Sequence, residues 1–380
     1  MRIISIEPTP SPNVMKLNMD ETLPAGVSYN FPKDKADEAP DHIRQLLAID
    51  GVKSVFQVSD FLSLERHPKA DWPAVLAEAR KILGEAEGKS ETQGDQASEE
   101  ESSSFGEITV LIQKLKDIPM QVKLLKDGEE YRFGLPERFK EAVMQIQETT
   151  TNLIFERQWV EQKPRYGDVE EVGNQIVEEI SAAYDAKRLE NLVKHAFSDN
   201  QETTEKSISR EEVEKALTLP EWEKRYAALE QFEPELGDID LLGKALKDEK
   251  PAIRRLAVVY LGFLEDEKVL PYLEEALKDR SAIVRRTAGD TMSDLGSPKA
   301  IPAMCEALKD PNKLVRWRAA RFLFEVGDES AIKALKEAVN DPEFEVRLQA
   351  KMALERIERG EEASGTVWQQ MMKRMEEDKK

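Results

Sequence analysis

The sequence predicts a multidomain protein, two small α+β domains followed by an all-α helical-repeat solenoid. Three observations lead there. A stretch at 87–105, EGKSETQGDQASEEESSSF, is poor in apolar residues and separates an N-terminal piece from the rest. On both sides of it, short alternating runs are interleaved with amphipathic helical ones. Beyond residue 236 the chain repeats itself every 31 residues.

Bulk properties bound the function classes. A chain of 380 residues exceeds one ordinary core, so two or three domains are expected. Hydrophobic residues make up 40% and charged residues 34%. No run of eighteen apolar residues exists, so no membrane span is expected. The opening MRIISIEPTPSPNVMKL lacks a basic segment followed by a long apolar one, so no secretory signal is expected. Cys305 is the one cysteine, which excludes an internal disulfide and fits a reducing, cytoplasmic setting. With His42, His67 and His195 far apart, no metal site and no cofactor are expected. The formal charge of −20 opposes nonspecific nucleic-acid binding, which depends on neutralising phosphates.

The first domain is expected at residues 1–86. Residues 2–6 and 14–18 read as strands around the turn-rich Pro-Thr-Pro-Ser-Pro-Asn. Residues 41–49 read as a helix. Gly51 introduces VKSVFQVSDFLSLER, which alternates like a hairpin around Ser59-Asp60. Asp71 caps a last helix running to Leu83, with Pro73 tolerated in its first turn. Glu7-Pro8-Thr9-Pro10-Ser11-Pro12-Asn13 with Met15-Lys16 resembles the opening of the NifU-like scaffold N-terminal domain. The run from Leu46 through Gly51 to Phe56, then Asp60-Phe61 and Asp71-Trp72, resembles that domain's second half. The resemblance implies an α+β fold. The family's iron–sulfur chemistry sits on a separate domain with a Cys-x-x-Cys motif, which this chain lacks.

Residues 87–105 are expected to be a flexible acidic linker, because they cannot bury enough surface to offset their ordering entropy. A middle α+β domain is expected at 106–206. Residues 108–115 and 119–133 suggest strands, the latter turning at Asp127-Gly128. Pro136 opens a helix to about 147, residues 152–161 alternate like a strand, and 168–184 read as an amphipathic helix. Residues 200–210 suggest a second linker.

Residues 207–363 are expected to form the repeats. Ala245-Leu246-Lys247-Asp248 recurs at 276–279 and 307–310, then degenerately at 338–341. Six residues after each Asp stands Arg254, Arg285, Arg316 or Arg347. Ile253, Ala257, Leu261 and Leu264 share one helical face, and three further registers agree, so this face is core. Residues 222–232 suggest a degenerate first unit. The pattern resembles the HEAT-like repeat of phycobilisome lyases. Asp248, Asp279, Asp310 and Asp341 are expected to cap helices or to meet those arginines, within a unit or between neighbours, as a structural ladder.

Function is expected on the opposite face of the second helices. There stand Arg255 and Val259, Arg286, Trp317 with Arg321 and Phe324, and Leu348 with Met352. Apolar and arginine side chains together suggest a concave surface for a protein partner. The alternative places them under a neighbouring domain or under residues 364–380. There Trp368, Met371, Met372 and Met375 recur at the spacing of a C-terminal amphipathic helix.

No enzyme is expected. The stretch from Gly84 to Ser90 is one residue short of a phosphate loop and follows a helix, not a strand. Some HEAT-like proteins are hydroxylases with His-Glu metal ligands, but Arg255-Leu256, Arg286-Thr287, Trp317-Arg318 and Leu348-Gln349 stand at those places. The whole arrangement resembles the conserved virulence factor C family of Firmicutes. That resemblance implies a cytoplasmic accessory protein affecting virulence gene expression, acting as a non-catalytic interaction scaffold. Two other readings stand beside it. One is an iron–sulfur assembly accessory that binds a cluster carrier without holding a cluster. The other is a nucleic-acid binder using the repeat groove, where Lys313, Arg316, Arg318 and Arg321 flank Trp317.

Overall fold

The computed structural model describes residues 2–9, 13–24, 27–67, 70–84, 107–126, 129–147, 156–197 and 208–360. The expected linker at 87–105, the Asp127-Gly128 turn, residues 200–207 of the second linker and the C-terminal helix at 364–380 lie outside them. The chain divides into two units, Met1–Gly106 and Glu107–Lys380.

In the first unit, five antiparallel strands lie in the order β1 (Ile3–Pro8), β2 (Val14–Met19), β5 (Phe61–Arg66), β4 (Val52–Val58), β3 (Ser28–Pro32). Alternation turns Met15, Leu17 and Met19 of β2 to one face, with Leu62 and Leu64 of β5 beside them. Two helices contribute to the same core. α1 (Asp41–Ala48) buries Ile43, Leu46 and Leu47, and α2 (Trp72–Leu83) buries Trp72, Val75, Leu76 and Ala79. Asp71 caps α2 by accepting from the Ala74 amide at 3.1 Å. Gly51 has φ +82°, and a Cβ there would lie 2.2 Å from the Ala70 Cβ, so both backbone and space demand glycine. β3 is a strand that alternation does not announce. It pairs with β4 at the sheet edge, and its alternation of Tyr29 and Phe31 with Ser28 and Asn30 spans only four residues before Pro32.

The second unit opens with a four-stranded antiparallel sheet in the order β8 (Glu129–Gly134), β7 (Ile118–Lys126), β6 (Glu107–Leu115), β9 (Gln158–Tyr166). β6 and β7 join through Lys116-Asp117, both at positive φ, as a two-residue hairpin turn requires. Around the sheet stand α3 (Glu137–Ile146), α4 (Val169–Ala183) and α5 (Ala186–Ala196). The strand expected at 152–161 is instead β9, running from 158 to 166. Pro164 does not end it, because the pairing with β6 shifts register across Lys163-Pro164 and no ladder hydrogen bond is demanded there. Helix α5 follows a break at Asp185, whose side chain accepts from the Arg188 amide at 2.7 Å.

The rest is helical pairs: α6 (Arg210–Ala216) with α7 (Trp222–Glu230), α8 (Ile239–Ala245) with α9 (Pro251–Phe263), α10 (Leu270–Ala276) with α11 (Ala282–Leu295), α12 (Ile301–Ala307) with α13 (Lys313–Val326), and α14 (Ile332–Ala338) with α15 (Phe344–Glu358). The second helices bury Ile253, Ala257 and Leu261, then Val284, Ala288 and Met292, then Val315, Ala319 and Leu323, then Val346 and Ala350. Arg254, Arg285 and Arg316 each join two consecutive pairs. Arg254 Nε donates to Asp279 Oδ2 at 2.6 Å and its Nη2 to Oδ1 at 2.8 Å. Arg285 meets Asp310 at 2.6 and 3.0 Å, and Arg316 meets Asp341 at 2.7 and 3.1 Å. Nη1 of each turns back to a carbonyl of its own unit, as Arg254 does to Asp248 at 2.8 Å. Each Asp also accepts the amide two residues on, at 2.7–2.9 Å, which fixes the turn that leads into the second helix without capping that helix. The ladder starts one unit earlier than the exact repeat indicates, with Arg225 on Asp248 at 2.7 and 3.0 Å. Arg347 keeps its carbonyl bonds to Asp341 and Pro342, both at 2.7 Å.

Candidate functional site on the inner face of the repeats

The second helices α9, α11, α13 and α15 carry a row of side chains one position past each ladder arginine: Arg255, Arg286, Trp317 and Leu348. The structure divides that row. Its first half meets the middle sheet. β9 and α4 bring Arg165, Tyr166 and Glu179 against α9 and α11. Arg165 Nη2 donates to Glu179 Oε2 at 2.6 Å, and Arg255 Nη2 reaches the same oxygen at 3.4 Å. Tyr226 of α7 donates its hydroxyl to that oxygen at 3.5 Å. Burial pushes the Glu179 carboxyl up, but Arg255 and Arg165 more than offset this and hold it below the usual carboxylate range.

One turn along the array, the Arg286 guanidinium lies 3.0 Å above the centre of the Tyr166 ring. Tyr166 donates its hydroxyl to Glu107 at 2.8 Å, and burial raises its pKa. Asp290 lies between two arginines, 3.5 Å from Arg286 and 2.7 Å from Arg318. Burial pulls the Arg165 and Arg286 guanidiniums below their ordinary pKa. A cavity of about 90 Å³ lies among these groups, lined by Lys163, Arg165, Tyr166, Arg255, Val259, Arg286 and Asp290 with others. A second, of about 370 Å³, opens beside it toward Trp222, Lys250 and Glu178.

The expectation that all eight candidate residues face an open groove is corrected by this geometry. Arg255, Val259 and Arg286 wall the cavity against β9. Trp317 is 4% exposed, and Arg321 is 6% exposed and donates to Glu325 at 2.6 Å on its own helix. Phe324, Leu348 and Met352 are half-buried, and no residue of α15 lines either cavity. Helical periodicity finds the face but not its cover, since the cover comes from a strand some ninety residues earlier in the chain. Arg165, Glu179 and Tyr226 were missed for the same reason; nothing local marks them.

Other expected or excluded chemistry is placed as follows. His42 Nε2 lies 2.8 Å from Gln57 Oε1, within the first unit. Cys305 is half-buried on α12. Among the described residues, no group of three or more His, Cys, Asp or Glu is arranged to hold a metal ion, and no helix is long and apolar enough to cross a membrane.

Comparison with known proteins gives three family matches: the scaffold protein Nfu/NifU N-terminal domain over residues 4–88, a virulence factor family over 113–193, and HEAT repeats over 211–293 and 275–355. The first and third of these modules are non-catalytic scaffolds. YpgR of Bacillus subtilis (strain 168) is 54% identical over 376 residues, covering 98% of each chain. Conserved virulence factor C of Staphylococcus aureus (strain USA300) is 46% identical over 376 residues, covering 98% of this chain and all of that one. The crystal structure of SAV1430 from Staphylococcus aureus shares 36% identity over 22% of this chain and 98% of its own, with a TM-score of 0.21.

Proposed function

Because the chain belongs to the conserved virulence factor C family, we propose that it works as a non-catalytic protein-interaction scaffold, a cytoplasmic accessory factor through which virulence gene expression is affected. The working division is a scaffold domain at 1–86, a middle domain at 106–206 and a repeat platform at 207–363. The observation that carries the reading is the second half of the inner face. Phe324, Leu348 and Met352 stand half-exposed on α13 and α15, past the part that β9 shares. Apolar side chains on an inner repeat face are what a protein partner buries.

The test is affinity capture by the full-length chain, comparing wild type with Phe324→Glu plus Met352→Glu. The expected result is selective loss of one or more captured proteins, with the unfolding transition unchanged. An identical captured set in both forms overturns the assignment. A second reading, an accessory to iron–sulfur assembly, is favoured by the Nfu/NifU match over residues 4–88. It would appear in the same experiment as a captured cluster carrier that depends on the N-terminal domain and not on Phe324 or Met352.

A further inference from the structure

The cavity between β9 and the inner helices has a charge balance opposite to that of the chain. The chain carries a formal charge of −20. The cavity wall carries four basic side chains, Lys163, Arg165, Arg255 and Arg286, against one carboxylate, Asp290. The ion pairs behind the wall do not restore the balance. Arg165 and Arg255 share Glu179, and Arg286 and Arg318 share Asp290, so four guanidiniums are served by two carboxylates. Of the other carboxylates nearby, Asp294 lies 3.8 Å from Lys163 and Glu325 pairs with Arg321, while Glu107 accepts from the neutral Tyr166 hydroxyl and so adds one negative charge near Arg286.

Charges removed from water are normally matched one for one, because an unmatched one keeps its full desolvation cost. Here the side chains of Arg165, Arg255 and Arg286 are only 13%, 15% and 15% exposed. The Arg255 Nε–H is buried and has no hydrogen-bond partner, so an acceptor entering the cavity could satisfy it. The volume of about 90 Å³ is that of about three water molecules, enough for a tetrahedral oxyanion but not for a nucleoside.

We propose that this cavity is a binding site for a phosphate-class oxyanion, held by Arg165, Arg255, Arg286 and Lys163 between the middle sheet and the second and third helical pairs. An oxyanion adds negative charge where guanidiniums outnumber carboxylates, and guanidinium forks suit its oxygens. The ligand touches β9 on one side and α9 and α11 on the other, so occupancy ties the middle domain to the repeats. The site is independent of the partner surface proposed at Phe324, Leu348 and Met352.

The experiment is isothermal titration of inorganic phosphate into the full-length protein at fixed ionic strength, with chloride as control and thermal unfolding alongside. Saturable binding with a rise in the unfolding midpoint is expected for phosphate and not for chloride. Arg255→Gln should weaken binding at least tenfold. Lys163→Ala removes a side chain that is 64% exposed, so it leaves the fold intact, and should weaken binding several-fold. ADP distinguishes the source. Tighter binding than inorganic phosphate means a phosphoryl group on a larger ligand, reaching out through the 370 Å³ opening, whereas weaker binding means the free ion. Equal effects of chloride and phosphate, or phosphate affinity unchanged in folded Lys163→Ala and Arg255→Gln, would overturn the proposal.

Discussion

Removing one rung of the ladder should loosen the repeats by an amount that can be worked out in advance. Arg285→Ala deletes two hydrogen bonds to Asp310, at 2.6 and 3.0 Å, and one to the Asp279 carbonyl at 2.8 Å. Arg285 and Asp310 side chains are 12% and 7% exposed, so the aspartate left behind sits largely out of water. Removing one partner of a buried ion pair costs about 3–5 kcal/mol. Asp310 keeps its bond from the Asn312 amide at 2.7 Å, and water can enter at the 12% opening, so the lower end applies, about 3 kcal/mol. Urea unfolding followed by far-ultraviolet circular dichroism reads this as a lower midpoint for the helical transition. The partner change Asp310→Ala and the double variant complete a cycle, in which the second change should cost much less once the first is made. Lys278→Ala is the control, since Lys278 and Glu306 are 68% and 69% exposed and their pair should contribute nothing measurable. If Arg285→Ala costs less than about 1 kcal/mol, or the cycle shows no coupling, the ladder is decoration and apolar stacking alone holds the array.

Three further outcomes follow from the same geometry. Gly51→Ala should destabilise the N-terminal unit by about 2 kcal/mol or more, measured by thermal unfolding, because φ is +82° and the new Cβ meets Ala70; a neutral effect would show that the turn can relax. Gly173→Ala on α4 places a Cβ 2.2 Å from Phe133 Cζ, and displacing that ring should cost about 1–3 kcal/mol, with altered aromatic NMR shifts around Phe133 as the check. Glu179 is held below its unfolded pKa, so its contribution is present above about pH 4.3 and is lost as pH falls through the lower folded value. The midpoint difference between wild type and Glu179→Gln should therefore be large at pH 7 and shrink toward pH 3, whereas a constant difference would mean that Glu179 acts by shape and not by charge.

The sequence by itself determined the elements and their kind. The 31-residue period fixed helical pairs, and the apolar register Ile253, Ala257 and Leu261, matched at the same positions of three further units, fixed which face is core. The alternation of β2, the Asp71 cap and the Ser59-Asp60 hairpin were equally local and equally legible. Legibility failed where local signal and structure part. Edge strand β3 alternates over only four residues before Pro32, too short a run to stand out, and β9 continues past Pro164 because a register shift excuses the missing N–H. The ladder marks Asp and Arg by position, but whether they pair within a unit or across two depends on stacking distance, and only the fold puts Arg254 on Asp279 rather than on Asp248. The inner row shows the same limit more strongly. Its chemistry is written in Arg255, Val259, Arg286 and Trp317, yet exposure is a property of what lies opposite. Tertiary structure alone brought β9 and α4 onto α9 and α11, turning half of an apparent groove into a charged cavity, with Phe324, Leu348 and Met352 half-buried beyond it. Periodicity encodes the direction in which a side chain points, whereas contact between residues ninety positions apart is decided by packing that no local pattern records.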